Sequence, residues 1–96
     1  MKAYLIVEID TKKPELMADY RTKTPAAIAE FGGRFIVRGG ACETLEGGWT
    51  PPRVVVIEFP SMERARAFYR SATYAPLLKQ RLEAGDSKAI LIEGIA

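Results

Sequence analysis

The sequence predicts an α+β fold in which one antiparallel β-sheet carries helices on a single face. Four short apolar segments rich in β-branched residues combine with helical patterns in the order β-α-β-β-α-β. Clusters of glycine and proline separate these segments. The chain has 96 residues, about the size of one domain, and 48% of them are hydrophobic. We therefore expect a single domain over residues 1–96.

The first strand and the first helix are predicted from apolar runs at two different spacings. Tyr4 to Ile9 is apolar except for Glu8, which is typical of a strand buried on at least one face. Pro14 fits the first turn of a helix, and Gly32-Gly33 ends its pattern. Because proline lacks a backbone N–H, Pro25 should kink or interrupt this helix.

The next two strands flank a long loop. Gly33 to Val37 reads as the second strand, and Gly39-Gly40 ends it. Residues 39–52 contain four glycines, two prolines and the only tryptophan, Trp49, which is typical of a loop. Arg53 to Phe59 gives the third strand.

The last part of the chain predicts a second helical region and a final strand. Pro60-Ser61 provides a stop and then a helix N-cap, and Thr73 provides a cap for another short helix that ends near Gly85. Lys88 to Glu93 is the last strand. The apolar stripes of the two helices are Ala65, Phe68 and Tyr69, followed by Leu77, Leu78 and Leu82.

This element order is that of the ferredoxin-like split βαβ motif. Right-handed crossovers then place the first and third strands at the centre of a four-stranded antiparallel sheet. Alternation assigns one set of side chains to the helices: Leu5, Val7, Ile9, Phe35, Val37, Val55, Ile57, Phe59, Ile90 and Ile92. The opposite face holds Tyr4, Ile6, Ile36, Val54, Val56, Ala89 and Leu91. Since an uncovered sheet face is normally polar, this apolar face predicts a homodimer packed sheet to sheet.

Charged residues are expected on the same open face: Glu8, Glu58, Glu93, Arg34 and Arg38. Pairing Ile36 with Val56 sets Arg34 opposite Glu58, and a parallel central strand pair sets Glu8 beside Glu58. Two adjacent carboxylates next to an arginine can raise one pKa into the range of a general base. The alternative is an ion-pair network that only fixes the register of the dimer.

Composition excludes several functional classes. The chain has no histidine, which removes Ser-His-Asp and Cys-His catalysis and the usual zinc sites, so we expect no metal and no cofactor. The formal net charge of +2 gives no strong attraction to nucleic acid. The single cysteine, Cys42, and the absence of a long apolar run predict a cytoplasmic protein without a membrane partner.

Four segments together resemble a known family. They are Gly32 to Gly40, Leu45-Glu46-Gly47, Arg53 to Ser61, and Tyr69-Arg70-Ser71 with Tyr74. Over nearly the whole chain they are similar to the bacterial family called domain of unknown function 1330, which is similar to the dimeric α/β-barrel group. The resemblance implies a barrel closed across a dimer, and relatives that include cofactor-independent monooxygenases, decarboxylases and dehalogenases. Many of those use a histidine that this chain lacks. The positions that match the family pattern are Arg34, Arg38, Glu46, Arg53, Glu58, Ser71 and Tyr74.

These arguments lead to one functional hypothesis and one alternative. The chain is expected to bind a small anionic or carbonyl-containing molecule, with Glu58 as general base and Tyr74 as hydrogen-bond donor if acid–base chemistry occurs without a cofactor. The alternative is a non-catalytic binding or assembly module. The predicted ligand-binding residues are Tyr4, Glu8, Arg34, Arg38, Trp49 and Arg53.

Overall fold

Seven elements follow one another in the order β-α-β-β-α-α-β in a computed structural model that describes residues 1–96. They are β1 (Ala3–Thr11), α1 (Pro14–Glu30), β2 (Arg34–Arg38), β3 (Val54–Phe59), α2 (Met62–Tyr69), α3 (Ala75–Ala84) and β4 (Gly85–Glu93). The strands form one sheet in the order β2-β3-β1-β4, with every neighbouring pair antiparallel. The predicted ferredoxin-like α+β fold is confirmed.

The two central strands, β1 and β3, are not parallel, although the predicted contact between Glu8 and Glu58 requires a parallel pair. The crossover through α1 leaves β2 running the same way as β1, and the following hairpin reverses β3. The central strands are therefore antiparallel, and Tyr4 lies opposite Glu58 while Glu8 lies opposite Val54. The prediction that Glu8 and Glu58 are neighbours is wrong, since they occupy opposite ends of the pair.

A β-bulge in β2 changes the face on which Arg38 lies. Arg34 pairs with Glu58 as predicted, but the register shifts between Phe35 and Val37, so that Val37 pairs with Val56. The predicted pairing of Ile36 with Val56 is wrong. Because the bulge adds one residue to the alternation, Val37 lies on the open face and Arg38 on the helix side.

The faces of β4 are the reverse of those predicted. Leu91 pairs with Leu5 and packs against the core, whereas Ile90 pairs with Ile6 on the open face. By the same register Ile92 joins the open face, while Ala89 and Glu93 leave it. The strand begins at Gly85, where a Cβ atom would run into the backbone oxygen of Asp10. That close approach fixes β4 against the end of β1.

The core lies between the sheet and the three helices. The predicted inward residues of β1 and β3 are all buried: Leu5, Val7, Ile9, Val55, Ile57 and Phe59.

The helices differ in detail from the prediction. Pro25 was expected to kink or interrupt α1, and the helix continues through it without interruption. Ser61 caps α2 as expected, but Tyr74 and not Thr73 is the N-cap residue of α3, and Leu82 is 57% exposed.

The open sheet face is apolar, as predicted. Its apolar residues are Tyr4, Ile6, Val37, Val54, Val56, Ile90 and Ile92. Of these, Ile90 is 58% and Ile92 is 50% exposed.

Residues 39–53 contain no helix or strand, which confirms the predicted loop. None of the three helices combines the length and apolar character needed to cross a membrane.

Candidate functional site

Glu58 forms the centre of a charge cluster on the open face. Its carboxylate accepts a hydrogen bond from Nε of Arg34 at 3.2 Å and lies 3.3 Å from Nζ of Lys2. Partial burial works to raise the pKa of Glu58, but the hydrogen bonds and charges of Lys2 and Arg34 outweigh it and hold the pKa below its ordinary value. The expectation of a raised pKa is therefore wrong, and Glu58 is ionised at neutral pH.

Glu8 and Trp49 meet at the other end of β1. The indole Nε1 of Trp49 donates a hydrogen bond to Oε1 of Glu8 at 3.1 Å, although the tryptophan remains 64% exposed. This contact holds the long loop against the open face. It places Trp49 at the edge of the surface on which Tyr4 and Glu58 lie.

Arg38 and Arg53 lie together on the helix side of the sheet. Nη2 of Arg53 donates to the backbone oxygen of Arg38 at 3.4 Å, and its guanidinium covers Gly39 so closely that a Cβ atom there would collide with it. The guanidinium of Arg38 stacks on the Phe35 ring at 4.2 Å from the centroid. The structure thus separates the predicted ligand-binding residues into an open-face group and a helix-side group.

A proline in α1 determines where the Arg38 side chain goes. In a regular helix the backbone N–H of residue 25 would bond to the oxygen of Arg21, but Pro25 has no N–H to donate. Nη2 of Arg38 donates to that oxygen instead, at 2.8 Å. The side chain of Arg38 is thereby fixed across the space between β2 and α1.

Three polar side chains form a buried cluster on the helix side of the sheet. Of the three, the sequence predicted only Tyr74 as a site residue. The hydroxyl oxygens of Tyr20 and Tyr74 lie 2.7 Å apart. Nη1 of Arg81 donates to the Tyr74 hydroxyl at 3.3 Å. All three residues are buried, with Arg81 only 2% and Tyr74 1% exposed. We call Tyr20, Tyr74 and Arg81 the interior cluster.

Local sequence explains how the interior cluster forms. Ser71 Oγ donates to the Phe68 oxygen at 2.7 Å and accepts from the Tyr74 N–H at 3.0 Å, which turns the chain so that Tyr74 enters the core. Arg81 follows Tyr74 by about two turns of α3 and therefore lies on the same side of the helix. Helices α1 and α3 pack together, which brings Tyr20 to Tyr74.

Arg81 has no carboxylate partner. It makes no ion pair, and its only other side-chain hydrogen bond runs from Nη2 to the Tyr69 hydroxyl at 3.4 Å. Its Nε has no hydrogen-bond partner at all. Burial raises the pKa of the Tyr74 hydroxyl, and the adjacent Tyr20 adds to the effect, so Tyr74 is neutral at physiological pH. The guanidinium charge is thus buried among neutral groups.

A cavity of about 30 Å³ adjoins the interior cluster, between the sheet and helices α1 and α3. This is about the volume that one water molecule occupies in the liquid. Its polar lining consists of Tyr20, Arg21, Thr24, Arg38 and Arg81, and no acidic residue takes part. The remaining walls are apolar: Val7, Ile9, Phe35, Val55 and Ile57. The site is a small, positively charged chamber with an apolar floor.

A larger surface cleft of about 390 Å³ lies between α2 and β4. Two of its lining residues are arginines, Arg66 and Arg70, but both are exposed to solvent. Bulk water can satisfy those charges, whereas Arg81 is only 2% exposed. The chamber is therefore the better candidate for a site.

Sequence reasoning selected Tyr74 and Arg38 but did not identify Arg81, Tyr20 or Thr24. A signal for Arg81 was present. It follows Leu77 by four residues, so a helical α3 puts it on the apolar stripe where a charge is unusual.

The sequence of nearly the whole chain, residues 2–95, matches the family model described as Domain of unknown function (DUF1330). The chain belongs to the DUF1330 family. Its predicted resemblance to this family is confirmed. Among curated proteins, no sequence matches this DUF1330 chain.

Solved structures share the fold of this DUF1330 protein at low sequence identity. A protein of unknown function from Rhodopseudomonas palustris has a TM-score of 0.75 and 19% identity, with 99% of this chain and 83% of that chain covered. A dimeric ferredoxin-like protein of unknown function from Jannaschia sp. CCS1 has a TM-score of 0.78 and 10% identity, with 98% and 100% covered. A cofactor-independent oxygenase from Streptomyces nogalater has a TM-score of 0.57 and 12% identity, with 99% and 92% covered. At these identities the similarity establishes the fold.

Proposed function

We propose that this protein binds a small anionic molecule, such as a carboxylate, in the chamber beside Arg81. One observation carries the proposal: Arg81 is 2% exposed, has no carboxylate partner, and leaves Nε without a hydrogen bond. A buried charge normally has a partner, because removing an ion from water costs several kcal/mol even after the surroundings relax. A bound anion would supply that partner.

The residues around the chamber support the recognition of negatively charged oxygen. Arginine donates up to five hydrogen bonds in a planar arrangement that matches a carboxylate. Tyr74 is the proposed second donor, acting with Tyr20, which lines the chamber and whose hydroxyl lies 2.7 Å from that of Tyr74. The apolar walls exclude water and would strengthen each of these interactions.

The same arrangement limits the chemistry that the chamber supports. No carboxylate lines it, so the chamber itself provides no general base of ordinary strength. Arg81 and Tyr74 would stabilise negative charge that develops on a substrate oxygen. A substrate that loses its proton readily would suit this site, and the fold is shared with a protein described as a cofactor-independent oxygenase. Binding without turnover is the simpler function and the one we propose first.

Glu58 has a different proposed role, as part of a homodimer interface. The open sheet face exposes apolar side chains, whereas the uncovered face of an antiparallel sheet is usually polar. An exposed apolar patch of this kind is typical of an interaction surface. A second copy packed sheet to sheet would cover Ile6, Val56 and Ile90 and surround the Glu58 charge cluster, with Tyr4 and Trp49 at its margin. The similar protein from Jannaschia sp. CCS1 is described as dimeric. The single thiol, Cys42, is exposed and free, which supports a cytoplasmic location for this dimer.

Isothermal titration with formate, the smallest carboxylate, tests the binding proposal. Wild-type protein should bind formate, and Arg81→Met should abolish binding while it preserves the volume of the side chain. Arg66→Met is the matched control, because it removes an exposed arginine outside the chamber and should bind formate like the wild type. Equal binding by the wild type and Arg81→Met, or no binding by folded wild-type protein, would contradict the proposal. The second result would favour the alternative of a non-catalytic assembly module.

A further inference from the structure

The size of the chamber limits the anion that it holds. Its volume of about 30 Å³ is close to the space that one water molecule occupies in the liquid. Formate carries its oxygens on a carbon atom and is larger, so the walls must move apart to admit it. Such expansion is unfavourable, because overpacking a protein interior strains the surrounding side chains. The chamber therefore favours an anion that consists of a single atom.

The charged groups that line the chamber are all donors. They are Arg21, Arg38 and Arg81, and no acidic residue lies among the lining residues. None of the three makes an ion pair, and Nε of Arg81 has no hydrogen-bond partner. Arginine has N–H donors and no acceptor. A halide ion accepts hydrogen bonds and offers none, so it matches this lining.

The buried tyrosine pair holds one hydroxyl proton that no acceptor in the structure takes. The oxygens of Tyr20 and Tyr74 lie 2.7 Å apart, and either hydroxyl can donate to the other. Each hydroxyl carries one proton, so a single hydrogen bond between them uses only one of the two. Arg81 supplies a further donor to Tyr74 rather than an acceptor. The remaining hydroxyl proton therefore needs an acceptor from outside the pair, since an unsatisfied buried donor is costly.

Tyr20 is the hydroxyl that brings this proton to the chamber. Tyr20 lines the chamber, whereas Tyr74 does not. When Tyr74 donates to Tyr20, the Tyr20 hydroxyl is free to donate into the chamber. Arg81, Tyr74 and Tyr20 then form a series of hydrogen bonds that polarise one another toward the chamber. The hydroxyl of Thr24 is not free in this way, because it already donates to the backbone oxygen of Tyr20 at 2.6 Å.

We propose that the chamber is a halide site that binds one chloride ion, with the Tyr20 hydroxyl and the Arg81 guanidinium as its donors. This inference rests on the proposed function, because it requires an anion beside Arg81. It narrows the ligand to an anion of one atom and assigns to Tyr20 the hydroxyl contact with that ion. The ion would link α1, which carries Tyr20, to α3, which carries Arg81.

Isothermal titration with sodium chloride tests the inference. The protein is equilibrated in sodium gluconate, whose anion is too large for the chamber, and chloride and formate are titrated separately at constant ionic strength. We expect wild-type protein to bind chloride at least about tenfold more tightly than formate, because formate must expand the walls. Arg81→Met should abolish binding of both anions. Tyr20→Phe keeps the ring, removes one donor to the ion, and should weaken chloride binding by about tenfold.

Two control variants remove similar groups outside the chamber. Tyr69→Phe removes a hydroxyl that accepts from Arg81 but does not line the chamber, so it should not weaken chloride binding. Arg66→Met removes an exposed arginine and should bind chloride like the wild type. An equal loss of chloride affinity in Tyr69→Phe and Tyr20→Phe would overturn the assignment of Tyr20 as a donor to the ion.

The remaining outcomes separate this inference from the proposal beneath it. Binding of formate without binding of chloride would overturn the halide site and leave the proposed function intact, as would equal affinity for the two anions. Unchanged chloride affinity in Tyr20→Phe would overturn the role of Tyr20. Failure of both anions to bind to folded wild-type protein would contradict the proposed function itself.

Discussion

Arg81 donates a hydrogen bond to the hydroxyl of Tyr74 at 3.3 Å in the interior of the protein, and no carboxylate accompanies the pair. Tyr74 also contacts the Tyr20 hydroxyl, so the tyrosine pair remains hydrogen-bonded without the arginine. The guanidinium is thus dispensable for satisfying the tyrosine pair, although it also donates to the Tyr69 hydroxyl at 3.4 Å. The proposed anion would give the buried charge the partner that these neutral groups do not.

Replacing Arg81 should separate a ligand-binding role from a structural one. Arg81→Met removes the buried charge and retains an apolar side chain of similar length. In a buffer whose anions are too large for the chamber, we expect the free energy of unfolding to stay unchanged or rise by up to about 4 kcal/mol. Urea denaturation measures this. A loss of about 3 kcal/mol or more would instead identify Arg81 as part of the structural core.

Pro25 should control the position of Arg38. Pro25→Ala restores an N–H that can bond to the oxygen of Arg21, which Arg38 now occupies at 2.8 Å. We expect the free energy of unfolding to rise, by up to about 3 kcal/mol, and the Arg38 side chain to leave α1. Denaturation and a crystal structure of the variant check both effects. A decrease in stability with Arg38 unmoved would show that Pro25 has a different role.

The open face should be required for dimerisation. Ile6→Glu places a charge at the centre of this face, where a sheet-to-sheet partner would bury it without a counter-charge. We expect the wild type to be a dimer and Ile6→Glu a folded monomer in light scattering. Leu82→Glu is the control, because Leu82 is an exposed apolar residue on α3, away from the sheet. A monomeric wild type, or a dimeric Ile6→Glu, would contradict the proposed interface.

Acid should lower the free energy of unfolding, in part because it protonates Glu58. Its pKa in the folded state is below the ordinary value of 4.5, because Lys2 and Arg34 outweigh the opposing effect of burial. The resulting stabilisation is present above pH 4.5 and is lost as the pH falls through the lowered pKa. Urea unfolding of the wild type and Glu58→Gln at about pH 6 and about pH 3 tests this. The wild type should lose more stability than the variant, and equal losses would refute the ion-pair assignment.

The sequence predicted the fold well in the strands whose register needs no correction. Burial alternates residue by residue along β1 and β3, and their inward residues, from Leu5 to Phe59, are buried as expected. The open apolar face followed from the same alternation. These features depend on a periodicity of two, which the sequence displays directly.

The errors arose where tertiary contacts decide the register. The bulge beside Ile36 leaves no mark in the sequence, since Phe35, Ile36 and Val37 are each acceptable on either face, yet it moves Arg38 across the sheet. The apolar run from Ala89 to Ile92 is equally ambiguous, and its register is set by Gly85 against Asp10. Consequently the candidate site could not be assembled from sequence, because Arg38 and Arg81 meet only through these long-range contacts.

Anomalous diffraction from wild-type crystals soaked in bromide tests most directly whether an anion binds in the chamber at Arg81. A bromide ion is a single atom of a size suited to the small cavity and has a strong anomalous signal. We expect an anomalous peak in contact with Nε of Arg81 that is absent from Arg81→Met crystals. Peaks at exposed arginines such as Arg66, with none in the chamber, would contradict an anion site at Arg81.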